Sequence, residues 1–171
     1  RLMERLEKVS LLDRKVEFLP DQEEIHKKQT DSQSLTRPEL CVLLAYSKIY
    51  LYNSLVNSDL PDSEYYYNDL IRYFPEKMSV KFEKEIANHP LKREIIATFT
   101  ANSMINRLGI TFFNRLAADT GMKKCDIARA YTITRDVFNL REVWQDIESL
   151  LGVVKHDIMM QMFREVANLV E

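Results

Sequence analysis

Along most of the chain, apolar residues recur every three or four positions with polar residues on the opposite side, the signature of amphipathic helices. In RLMERLEKVSLLDRKVEFLP, Leu2, Leu6, Val9 and Leu12 alternate with charges, which predicts a helix stopped by Pro20. It opens without an N-capping residue and reads as cut from a longer chain. Asp21 with Glu24 predicts the cap of a short helix through Lys28, and the polar run Gln29 to Ser34 reads as a loop.

From Leu35 to Pro61 the pattern changes. Thr36 and Glu39 have capping-box spacing and Pro38 falls in the first turn, so a helix starts here. Between Leu40 and Val56 the polar residues are Ser47, Lys48, Asn53 and Ser54, too few for a solvated face. This predicts a rod buried on most sides, around which the other helices pack, stopped by Asp59, Leu60 and Pro61.

DSEYYYNDLIRYF reads as a short helix ended by Pro75, which suits the first position of the next, through Ile86. His89-Pro90 opens the longest segment. There Ala101, Ile105, Leu108, Phe112 and Leu116 form one stripe, and Thr100, Ser103, Arg107, Thr111 and Asn114 the opposite, polar one. Gly109 predicts a bend or a close helix approach, and Gly121 a C-terminal cap. Helices over Cys125 to Phe138, Leu140 to Leu151 and Val154 to Val170 complete the chain, with Asn139 and Glu142 at capping-box spacing. No alternating runs with turn signals argue for a sheet. The fold class is all-α, bundle-like, with eight or nine helices. Residues 1–34 read as N-terminal helices and linker, and 35–171 as the helical domain.

Composition narrows the chemistry. Among 171 residues there are 3 glycines, Gly109, Gly121 and Gly152, too scattered to build a loop that cradles nucleotide phosphates. Cys41 and Cys125 form no framework, fit a reducing compartment and read as small buried residues. No signal peptide and no membrane-spanning run occurs, so the expectation is a soluble, cytoplasmic chain without a membrane partner. His26, His89 and His156 lack metal-ligand spacing. Tyr65, Tyr66 and Tyr67, about 100° apart on a helix, cannot make one stacking platform and read as packing residues whose hydroxyls reach water or a partner.

One motif competes with this plain reading. In RLAADTGMKKCDIARAYTI, Ala117, Gly121 and Ile127 have helix-turn-helix spacing. From Leu91 to Arg135 there are 8 basic and 3 acidic residues, an excess that could meet phosphates. Short glycine turns between helices are common, however, and Asp126 would face the polyanion. Nucleic-acid binding is therefore the alternative, beside a free-standing helical protein-interaction module.

The stretches LTRPELCVLLAYSKIYLYNSL, DLPDSEYYYNDLIRYFP, HPLKREIIATFTANSMINRLG and ARAYTITRDVFNLREVWQDIE, in that order, resemble the large bacterial NAD-specific glutamate dehydrogenases in the helical region after their catalytic domain. Ile110 and Lys123-Lys124 depart from that family's pattern, which has proline after the glycine and a Ser-Pro helix start. The resemblance implies a parent oxidoreductase of amino-acid catabolism that converts L-glutamate, NAD and water to 2-oxoglutarate, ammonia and NADH. It places the catalytic and NAD-binding residues upstream, so that this segment has no catalytic, cofactor-binding or metal residues. The segment then acts as a scaffold, regulatory or assembly module, whose partners are the catalytic domain of the same chain and further copies in a homo-oligomer. The expected docking residues are Leu2, Leu6 and Val9 on the first helix, and Arg107, Arg115 and Arg129 on the basic flank.

Overall fold

The computed structural model describes residues 1–170, which carry eleven α-helices and two short 3-10 turns. In order these are α1 (Leu2–Lys8), α2 (Gln22–Thr30), α3 (Arg37–Val56), α4 (Tyr67–Tyr73), α5 (Glu76–Lys81), α6 (Glu83–Ala87), α7 (Lys92–Leu108), α8 (Phe112–Thr120), α9 (Lys124–Val137), α10 (Leu140–Ser149) and α11 (His156–Val170). The only β-type pairing among the described residues is an isolated bridge between Leu151 and Val154. The all-α expectation holds. The count exceeds nine because two expected helices are each divided, one at Phe82 and the other at Gly109.

Capping chemistry places several starts where the sequence predicts them. Thr36 Oγ1 accepts from the Glu39 amide while the Glu39 carboxylate accepts from the Thr36 amide at 2.6 Å. Asp21 and Glu24 make the same reciprocal pair at the start of α2. The Asn139–Glu142 box does not form. Asn139 adopts a left-handed conformation (φ 49°, ψ 42°) and its side chain makes no cap, since a cap oxygen needs an extended backbone to reach forward. The first helix also stops early, at Lys8 rather than near Pro20. Ser10 turns left-handed at φ 56°, and the Asp13 carboxylate accepts from the backbone N–H groups of Lys15 and Val16, so a local turn replaces the helix ladder. Leu12 and Leu19 are nevertheless buried, in a small core with Met3, Leu6 and Leu43.

The main core gathers around α7 rather than α3. Ile95, Ile96, Ala97, Thr100, Ala101, Met104 and Ile105 of α7 are buried, and α7 packs against α3, α4, α9 and α11. The rod expected to be buried on most sides, α3, buries Leu43, Ser47, Leu51 and Leu55 and leaves Leu40, Cys41 and Ile49 exposed. The physical reason is size. Ala97, Thr100 and Ala101 let neighbouring helices close in on several sides, whereas the large aliphatic side chains around α3 hold neighbours to one stripe. Thr100 and Asn114, expected on a polar face, are therefore buried, and Cys41 is not.

At Gly109 the helix ends outright. Its φ of 88° and ψ of 167° fall in a region open essentially to glycine, and an added Cβ would meet nothing within 4 Å. Backbone conformation, not close approach, requires this glycine. Gly121 closes α8 in the left-handed conformation, its N–H bonded to the Ala117 carbonyl. Gly109→Ala should lower unfolding free energy by about 1–3 kcal/mol in urea titration with an unchanged slope. A neutral result would mean that the α7–α8 corner relaxes freely.

Candidate functional site

The densest polar cluster lies where α4 meets the α9–α10 junction. Asp69 of α4 is 3% exposed, a carboxylate on the same side as the buried Tyr66 and Leu70. It is held by two arginines: Arg135 Nη2 donates to Oδ2 at 2.9 Å and Arg141 Nη2 to Oδ1 at 2.6 Å. Arg135 is 1% exposed and also grips Asp136, through Nε at 2.8 Å and Nη2 at 3.1 Å. The Tyr65 hydroxyl donates to Asp136 Oδ2 at 3.1 Å. A buried guanidinium is tolerated only when paired in this way.

Charge counting assigns Arg135 to a basic surface, and the structure places it in the interior. The spacing carries the sign: Ile127, Tyr131 and Arg135 are four apart, on the stripe that α9 buries. Asp69, beside Leu70, is the matching clue.

Most of the other basic residues between Leu91 and Arg135 are also engaged within the chain. Arg93 pairs with Asp62 and donates to the carbonyls of Val56 and Ser58 at 2.8 Å. Arg107 reaches Glu148 at 2.5 Å and lies over the Trp144 ring. Arg129 bridges Asp59 at 2.6 Å and Asp126 at 2.8 Å. Lys124 sits 4.4 Å from the centre of the Tyr50 ring. Helices α8 and α9 pack against each other, with Gly121 closing α8 just before α9 begins at Lys124.

The docking residues read from the sequence separate. Leu6 is fully buried, Leu2 half-buried and Val9 48% exposed. Arg5 fastens α1 to α8 by donating to the Asn114 carbonyl and Oδ1 at 3.2 and 3.0 Å. Arg115 is exposed on α8, in a cleft shared with Arg1 and Leu2. The sequence does not single out Phe18. It is 91% exposed although Leu19 and Pro20 beside it are buried, and its φ of 52° is unusual for a bulky residue. Among the described residues no group of three or more His, Cys, Asp or Glu side chains could hold a metal ion, and no helix is long and apolar enough to cross a membrane.

The family model described as "Glutamate dehydrogenase, C-terminal" matches residues 32–171. The chain belongs to this family. It is similar to proteins named NAD-specific glutamate dehydrogenase: 44% identical over 169 residues to that of Pseudomonas aeruginosa, covering 99% of this chain and 10% of the relative. The Halomonas elongata protein is 38% identical over 166 residues, covering 97% and 10%. The Mycobacterium tuberculosis protein is 34% identical over 138 residues, covering 81% and 8%. The chain thus spans about a tenth of the length of these relatives.

Within this glutamate dehydrogenase C-terminal domain, the ion cluster makes a defined contribution to acid stability. Burial pushes the Asp136 carboxyl up, but the Arg135 guanidinium, the Tyr65 hydroxyl and Arg141 outweigh it and hold the carboxyl below its ordinary range. A folded value below the unfolded one, about 4, means the stabilisation is present above that pH and is lost as pH falls through the folded value. Asp136→Asn should therefore flatten the decline of thermal stability below about pH 4 relative to the parent chain. Identical acid limbs would show that Asp136 is not held in this way.

Proposed function

We propose that this chain is the helical scaffold or assembly module of an NAD-dependent glutamate dehydrogenase. The whole enzyme oxidises L-glutamate to 2-oxoglutarate and ammonia with hydride transfer to NAD, and its catalytic groups lie outside these residues. Residues 1–34 serve as the lead-in from the catalytic part, and residues 35–171 as the helical domain.

The observation that carries this reading is the segment Val9 to Phe18. Three apolar side chains, Val9, Val16 and Phe18, are 48%, 67% and 91% exposed there. The turn that displays them is internally anchored, by Arg14 on Glu7 at 2.8 Å and by the Tyr46 hydroxyl on Glu17 at 2.6 Å. A turn held rigid while its largest apolar ring faces solvent is organised for contact. The remaining nine-tenths of a protein the length of the relatives is the partner at hand. Leu2, Arg107, Arg115 and Arg129 extend the same docking reading. Leu6 supports it indirectly, by seating α1 on the small core.

In the full-length enzyme, the double substitution Val16→Ser with Phe18→Ser should lower thermal stability or the assembled fraction and leave the Michaelis constant for glutamate within about twofold. A raised Michaelis constant with unchanged stability and assembly would overturn the scaffold reading and place this turn at the active site.

A further inference from the structure

Away from that turn, a cleft of about 450 Å³ opens between α4 and the α9–α10 junction, and its unused bonding capacity is one-sided. Asp69 and Asp136 line it, but both carboxylates are occupied by the arginines and Tyr65 described above. The donors are in surplus. Arg135 Nη1 and Arg141 Nε are buried and have no hydrogen-bond partner. Arg72, exposed on α4 in the same lining, makes no ion pair among the described residues. Asn68 and Asn139 add two side-chain amides to the wall.

An unpartnered buried guanidinium N–H is costly and uncommon in a folded protein. Arg135 is the most deeply buried arginine of the chain, and it lines an open cleft with both N–H bonds of Nη1 unspent. Asn139 is held left-handed in the same wall, and such backbone outliers concentrate at ligand-binding positions. We propose that this cleft binds a small carboxylate anion, with Arg72 and Arg141 as its principal cationic contacts and Asn68 and Asn139 as neutral donors. The planar guanidinium fork matches the two oxygens of a carboxylate. Glu64, also in the lining and exposed, disfavours the higher charge of phosphate. Because the cleft is walled by α4, α9 and α10, an occupant would brace the three helices against one another. This inference stands on the cleft alone and is independent of the scaffold reading.

Hydrogen exchange on the full-length protein, read by mass spectrometry at neutral pH and low ionic strength with and without acetate, tests it locally. Peptides covering α4 and the α9–α10 junction should exchange more slowly as acetate saturates, and inorganic phosphate should be less effective. Arg72→Gln removes an exposed side chain with no ion pair and should leave the exchange pattern without ligand unchanged. It should raise the acetate concentration for half-maximal protection at least about tenfold. No local protection, equal protection in Arg72→Gln, or stronger protection by phosphate would each overturn the proposal. Protection confined to peptides outside this chain would report a site elsewhere in the enzyme and would overturn it as well.

Discussion

A single buried carboxylate orders the polar architecture of this domain. Asp69 lies at 3% exposure in a helix whose neighbouring side chains form the core. It is accommodated there because Arg135 reaches it from α9 and Arg141 from the start of α10. A buried ion pair adds little stability over a well-packed apolar contact, but a lone buried charge is severely penalised, so the pairing selects one arrangement of helices. Through these pairs Asp69 ties α4 to both sides of the α9–α10 junction, beside the cleft that the three helices line.

The apolar architecture follows from side-chain size. Helix α7 reaches the centre because Ala97, Thr100 and Ala101 present little bulk, while Met104, Ile96 and Ile105 fill the space that remains. Richness in apolar residues marks α3 as the rod in the sequence, yet its Leu40 and Ile49 stand exposed. In a chain spanning a tenth of its relatives' length, such a surface agrees with the docking role proposed for this domain.

Local rules were legible where they act locally. The Thr36–Glu39 and Asp21–Glu24 boxes, the glycine cap at Gly121 and the absence of strand periodicity all lead from sequence to structure. Tyr65 and Tyr67 likewise send their hydroxyls to partners, Asp136 and Glu83. What could not be read depends on which surfaces meet. The Asn139–Glu142 spacing is a valid cap signal, overridden when the corner turns left-handed. Arg135 looks like surface charge until its place on the Ile127–Tyr131 stripe and the arrival of Asp69 are both known. Phe18 appears as one more apolar residue before Pro20, and its exposure depends on a turn made by Ser10 and Asp13.

The claim that Asp69 and Arg135 are one structural unit is tested most directly by a double-mutant cycle, Asp69→Asn and Arg135→Met, with stability measured by denaturant unfolding at neutral pH. Each single change should cost about 1–3 kcal/mol, because each takes one charged hydrogen bond from a buried partner that Arg141 or Asp136 still holds. The double variant should cost less than the sum, with a coupling of about 1–3 kcal/mol. Additivity within about 0.5 kcal/mol would contradict the account, because the two residues would then stabilise the fold independently.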